Sequence, residues 1–253
     1  MDQQYWDSNA DTYEDSILNV FEHDRARLLQ DTIDRLIPQD AVCADFGCGI
    51  GPGIRLLAPK ARRVYALDLS PKNLARAESL NRRHANTSYL QCDLSKNVPI
   101  ADRLDFAITV NCLISPDRRL RNAILRNISR QMKHNATLLL VVPSLESSLW
   151  VYRRILDAEL RKRKGRSRAI KNVNGLIGKE VSCLSRGILS MEGVATKFYQ
   201  GPELDTLLED YGLRATQRQK LHYEWSAEIE NPPKWLDEPK PWHWLVEARR
   251  SGR

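Results

Sequence analysis

The stretch Val42-Cys43-Ala44-Asp45-Phe46-Gly47-Cys48-Gly49-Ile50-Gly51-Pro52-Gly53 constrains this chain more than any other. A short apolar run ends in an acid and then in glycines at every second position. That pattern predicts a buried strand breaking into a tight loop ahead of a helix. Without a Cβ, Gly47, Gly49 and Gly51 can take positive φ and turn main-chain N–H groups toward a ligand at a helix N-terminus. Spacing narrows the ligand. A dinucleotide fingerprint, G-x-G-x-x-G, needs a third glycine where Pro52 stands when counted from Gly47, or Ile54 when counted from Gly49. A P-loop fails as well, because no Gly-Lys-Ser/Thr follows.

The segments around this loop alternate between strand and helix. Arg63 to Asp68 is a β-rich run ending in an acid about 20 residues after the glycines, where a doubly wound sheet sets a carboxylate on ribose hydroxyls. Ser70 then offers a helix N-cap and Pro71 the first helical position. Ser88 to Leu94 reads as a third strand and its exit, Leu104 to Asn111 as a fourth, and Thr137 to Val142, apolar throughout, as a fifth covered on both faces. Helical spacing fills the intervals at 55–58 and 75–83. It also marks the face Leu120, Ile124, Ile128 and Met132 behind a cap pair at Ser115 and Pro116. Upstream, Ile17, Phe21, Leu28, Leu29, Ile33 and Leu36 predict one helix over 16–37, closed by Pro38. Downstream, Pro202 suits a helix start and Gly212 its C′ position. Alternation at Leu213, Ala215, Leu221, Tyr223 and Trp225 predicts a sixth strand, and 241–248 the last. Such alternation argues for an α/β sheet with right-handed crossovers.

Asp45, Gly47, Gly49 and Gly51 form Asp-x-Gly-x-Gly-x-Gly, which resembles motif I of the class I S-adenosylmethionine (SAM)-dependent methyltransferases, small-molecule type. The resemblance implies a seven-stranded, mostly parallel, doubly wound sheet with an antiparallel last strand, in one domain over 1–253. Within it, 1–37 would be N-terminal cover helices, 41–142 the SAM-binding core, 145–197 a lid-like basic insertion and 198–253 a C-terminal helix and β-hairpin. It also implies roles. The loop of Gly47, Gly49 and Gly51 would wrap the methionyl part of SAM, with Asp45 at its ammonium group. Asp68 would hold the ribose with Leu69 beside it, and Asp93 the adenine amino group with Cys92 and Leu94 as neighbours. Asn111 would line the space at the reacting methyl. A Trp6…Ala10…Tyr13 pattern is similar to the family's N-terminal cover, which would bring Tyr13 to the SAM carboxylate and Trp6 nearby. Tyr199 and His222 are candidate substrate residues and His23 a further pocket candidate, while the general base is left unassigned.

The activity so implied is methyl transfer from SAM to N, O or S of a small-molecule acceptor, leaving S-adenosylhomocysteine. Two rivals stand beside it: an RNA methyltransferase using the basic run Arg161 to Arg168, and a SAM-fold protein that binds without catalysis. The net charge of +7 permits attraction to anions, but solvated helix faces account for it more simply. Asn231-Pro232-Pro233-Lys234 is similar to the Asn-Pro-Pro-aromatic motif of nucleic-acid amino-methyltransferases. It falls between the last two strands, however, with Lys234 in place of the aromatic, and reads as a turn. No Pro-Cys pair follows the fourth strand, so a cytosine C5 mechanism lacks its nucleophile. No His/Asp/Glu set with ligand spacing sits near that strand, and metal dependence is not expected. Cys43, Cys48, Cys92, Cys112 and Cys183 are odd in number and include no C-x-x-C pair, which speaks against a disulfide framework. With a polar start unlike a signal peptide and no apolar run of bilayer length, the expected location is the cytoplasm.

Overall fold

In the computed structural model, which describes residues 2–10, 20–162, 165–177, 179–191, 193–229, 231–233 and 235–251, the apolar run before the glycines is β1 (Ala41–Phe46), buried at every position. Both of its faces are covered. Val42, Ala44 and Phe46 enter one core cluster, Ala41 and Cys43 the other. β1 pairs in parallel with β2 (Ala61–Asp68) and with β4 (Leu104–Val110). β3 (Thr87–Gln91) flanks β2, and β5 (Met132–Pro143) flanks β4, again in parallel. β10 (Trp242–Arg250) runs antiparallel between β5 and β9 (Leu213–His222), giving the order β3-β2-β1-β4-β5-β10-β9. Strand order reverses between β1 and β4, which opens a crevice at the carboxyl ends of those strands.

α1 (Gln3–Ser8) and α2 (Val20–His23) precede the sheet. One face is packed by α3 (Leu28–Leu36), α4 (Ile54–Leu57) and α5 (Pro71–Asn81), through Leu29, Ile33, Ile54, Leu57, Leu74 and Ala77. The other is packed by α6 (Arg118–Gln131) and α9 (Gly201–Glu209), through Ile124, Leu125, Ile128, Leu204 and Leu208. The predicted start of α5 holds: Ser70 Oγ accepts from the Asn73 amide and Pro71 opens the helix.

Several predicted boundaries move. The helix expected over 16–37 is broken, with 11–19 outside the described residues. Asp24 Oδ2 accepts from the Leu29 and Gln30 amides at 2.8 and 3.2 Å, and Arg27 turns left-handed at φ 56°. The cap of α6 is Asp117, whose side chain accepts from the Arg119 amide at 2.8 Å; Ser115 Oγ accepts from Asp117 N instead. Met132 leaves the helix face and becomes the first residue of β5, opposite Leu104. Gly212 takes its positive φ of 68° two residues beyond the Asp210 cap. Trp225 is not in the sixth strand: β9 ends at His222, and Trp225 starts a 3-10 turn.

After β5 the chain forms α7 (Leu145–Arg161) and α8 (Arg166–Ile177), then β6 (Lys179–Cys183), β7 (Ile188–Met191) and β8 (Val194–Lys197) in a separate antiparallel sheet. Main-chain hydrogen bonds tie this insertion to the large sheet. Tyr199 N donates to Pro143 O, Leu145 N to Tyr199 O and Lys197 N to Ile114 O, at 2.8–2.9 Å. Lys197 Nζ is buried between Glu203 and the Arg186 carbonyl. Among the described residues no helix is long and apolar enough to cross a membrane.

Candidate active site

The glycine loop is held from three sides. Gly47 N and Cys48 N both donate to Leu67 O, at 2.8 and 2.9 Å. Gly49 N donates to Asp68 Oδ2 at 2.9 Å, and Asn81 Nδ2 donates to Gly51 O at 3.1 Å. Gly47, Gly49 and Gly51 have φ of 74°, 53° and 82°, the left-handed region the sequence predicts for them. Space adds to the requirement. A Cβ on Gly47 would stand 2.7 Å from Cys112 Sγ, and one on Gly51 2.7 Å from Asn81 Nδ2. Gly53, which the motif does not single out, passes directly over the acid, where a Cβ would stand 2.5 Å from Asp45 Oδ2.

Two carboxylates lie under this loop. Asp45 is 3% exposed, and burial, seconded by the Asp68 charge, pushes it up to about 7. Asp68 is also raised by burial. Its counterweights are the amides of Ser70 and Gly49, which donate to Oδ1 and Oδ2 at 2.9 Å. The Asn73 side chain and the Leu69 amide also favour its charged form.

A cavity of about 470 Å³ opens beside Asp68, within the roughly 300–1,000 Å³ common for small-molecule sites, whereas Asp45, Gly49 and Gly51 do not line it. Gly47, Asp68, Leu69, Cys92, Asp93, Leu94 and Asn111 all line it, so the ends of β1, β2, β3 and β4 meet there. Asn111 is left-handed at φ 51°; its amide donates to Val141 O, and its buried Oδ1 has no partner. Burial raises Asp93, but the Ser95 hydroxyl and amide and the Lys96 ammonium outweigh it and hold the carboxyl below its usual range. Cys112 is pushed up to about 12 by burial and then by Asp68, so it stands as a thiol.

The N-terminal segment contributes to the cavity: Asp2, Gln3 and Trp6 line it. α1 is fixed there because Ser70 Oγ donates to Asp7 Oδ1 at 2.5 Å and Arg76 reaches the Ala10 carbonyl. Tyr13 lies outside the described residues. Sequence reasoning missed Gln3, Asn73, Cys112, Ser115, Leu120 and Ile124 as lining residues. Position alone could have suggested Asn73, at N3 of α5, and Cys112, just after Asn111.

Tyr199 and His222 are not brought to the cavity. Tyr199 is 1% exposed and its hydroxyl donates to Leu113 O at 2.6 Å, which makes it a tie between the insertion and the sheet. His222 is exposed at the end of β9, with Nδ1 3.2 Å from Lys240 O. His23, at the end of α2, does not line the cavity either.

A family model described as "Methyltransferase domain" matches residues 43–135, the segment from β1 into β5 that builds this crevice. Over those residues the chain matches a methyltransferase domain, and its sheet has the fold of class I SAM-dependent methyltransferases. Solved methyltransferases share the fold across almost the whole length. The 1,6-didemethyltoxoflavin-N1-methyltransferase of Burkholderia thailandensis, solved with 1,6-didemethyltoxoflavin and S-adenosylhomocysteine, is 15% identical; the match covers 99% of this chain and 87% of that one, with a TM-score of 0.63. The N-methyltransferase NodS of Bradyrhizobium japonicum WM9, solved with S-adenosylhomocysteine, is 14% identical over 99% and 98% of the two chains, with a TM-score of 0.60. Magnesium protoporphyrin IX methyltransferase of Synechocystis PCC 6803 is 17% identical over 98% of each chain, with a TM-score of 0.57. No curated protein matches the sequence. The residues present fit SAM as the methyltransferase's cofactor. The loop is bare of side chains where a Cβ would collide, two acids lie beneath it, and a buried acceptor atom on Asn111 lacks a donor.

Proposed function

We propose that this methyltransferase moves the methyl group of SAM to a nitrogen, oxygen or sulfur atom of a small-molecule acceptor. The observation that carries the reading is the cavity at the ends of β1 to β4, which Asn111 with its unpartnered Oδ1 and Trp6 of α1 both line. SAM, when bound, supplies a methyl group on a positively charged sulfur, so the leaving group is already activated. The chain's own part is to bind, align and exclude water. The loop of Gly47, Gly49 and Gly51, its three amides already bound within the fold, would wrap its bare backbone around the methionyl part, with Asp45 at the ammonium group and Tyr13 at the carboxylate. Asp68 would hold the ribose hydroxyls. Asp93 would accept from the adenine amino group, packed by Leu69, Cys92 and Leu94, and Asn111 would border the reacting methyl. No proton acceptor is assigned.

The insertion over 145–197 would shape acceptor choice as a lid. The basic run favours RNA less than its sequence suggests. Arg161 ends α7, about 24 Å along the helix from its start at Leu145, and does not line the cavity. The compounds that name two of these neighbours, 1,6-didemethyltoxoflavin and magnesium protoporphyrin IX, are small molecules, which supports the reading by likeness. Five free cysteines agree with a reducing cytoplasm. The test is release of S-adenosylhomocysteine with a panel of small amines, phenols and thiols, and separately with RNA. Turnover on a small acceptor and none on RNA is expected. SAM binding with no turnover on either would favour the non-catalytic rival.

A further inference from the structure

A further cavity, of about 540 Å³, lies between the C-terminal half of α7 and a segment that supplies Ile229, Asn231, Pro233, Trp235 and Leu236. Its apolar walls are Ile155 and Ala158 from α7 and Ile229, Pro233, Trp235 and Leu236 from the segment. Ile155, Ile229 and Leu236 also belong to a buried cluster with Val151, Val173 and Trp225, so the floor is a packed surface. Trp235 is different: 47% of it is exposed at the edge of the hollow. An indole left open beside an apolar floor offers area that a ligand can cover.

The rim is cationic. Lys162 is committed to Glu159, whose buried carboxylate also accepts from Asn172 Nδ2 at 2.9 Å. Arg161 lines the same hollow and, among the described residues, makes no ion pair. Arg154 stands between the rings of Trp150 and Trp235, 5.5 and 5.4 Å from their centroids, with its Nε buried and unpartnered. That stack fixes the orientation of Trp235 at the edge of the cavity.

We infer that this cavity is a second ligand site, built for a small amphipathic anion: an apolar body against Ile155, Ile229, Leu236 and Trp235, and an acidic head at Arg161. A cation of the same shape would meet Arg161 with like charge. A small polar anion would leave the floor uncovered. The site is separate from the crevice, since the two cavities share no lining residue among the described residues. A ligand here clamps the far end of α7 to that segment.

The test uses the full chain and laurate below its micelle concentration, followed by tryptophan fluorescence. Dodecyltrimethylammonium and inorganic phosphate serve as comparators. Laurate is expected to saturate, with the two comparators at least tenfold weaker. Arg161→Glu is expected to weaken laurate at least tenfold without altering S-adenosylhomocysteine binding. Ala158→Trp, which fills the hollow and leaves Arg161 in place, is expected to abolish the laurate signal. No saturable laurate binding, equal binding of laurate and the ammonium, or laurate binding untouched by both substitutions would each overturn the assignment. So would phosphate binding as tightly as laurate, which would mark a plain polyanion surface.

Discussion

Replacing Asp45 by Asn and following S-adenosylhomocysteine binding by calorimetry from pH 7.5 to 5.5 tests how the crevice holds its ligand. In the free protein Asp45 titrates at about 7, because its carboxyl is buried and sits near Asp68. An ammonium group placed on it would restore a value near the ordinary 4, so binding must expel the proton. Affinity should then fall about tenfold per pH unit below 7, and by about 20-fold from pH 7.5 to 5.5, close to 2 kcal/mol. Titrations in buffers of different ionisation enthalpy should show a proton released at the lower pH. Asp45→Asn should bind more weakly at pH 7.5 and lose most of the pH dependence. Stability moves the opposite way. The native state holds the Asp45 proton over a range where the unfolded chain has lost it, so this residue's contribution declines as pH rises from about 4 to 7. The ligand-free Asn variant should therefore melt above the parent at pH 7.5, by up to about 4 kcal/mol if the whole shift is relieved. Binding that is flat with pH in the parent, or equally steep in the variant, would refute the placement of the ammonium on Asp45.

Asp68→Ala should weaken SAM binding by about 1–3 kcal/mol and lower the melting temperature, because the same carboxylate anchors the Gly49 and Ser70 amides; unchanged affinity by calorimetry would reject its role. Gly47→Ala should abolish cofactor binding, since its Cβ would meet both Sγ and Cβ of Cys112, at 2.7 and 2.8 Å. Adding Cys112→Gly should restore part of that binding, whereas Cys112→Ala should not. Tyr199→Phe leaves Leu113 O without its buried donor and should cost about 1–3 kcal/mol in thermal or urea unfolding. A raised acceptor KM with unchanged stability would instead put Tyr199 against the substrate.

What the sequence displays best is whatever short-range chemistry decides. Ser70 and Pro71 begin α5 because a hydroxyl and a ring act within three residues, and the alternate glycines after Asp45 adopt the backbone that only they adopt easily. What it hides depends on partners far along the chain. The apolar period over 16–37 is uninterrupted, yet the Asp24 carboxylate captures two amides and divides the described part of it. Tyr199 sits in a strand-to-helix turn that resembles a substrate wall, but its hydroxyl finds a carbonyl 86 residues away and the ring is sealed in. Trp6 lines the cavity and belongs to a recognisable N-terminal pattern, while Gln3 and Asp2 line it with no local sign in the sequence.

The latch from Asn81 to Gly51 has a consequence for the order in which a ribosome delivers this fold. Residues 45–53 contain the amides and the acid, but the carbonyl that would grip them (Leu67), the carboxylate (Asp68) and the amide side chain (Asn81) all emerge later. The nascent loop is thus a slack glycine tether until some thirty further residues have cleared the exit tunnel, and competence to capture a nucleoside should switch on only then.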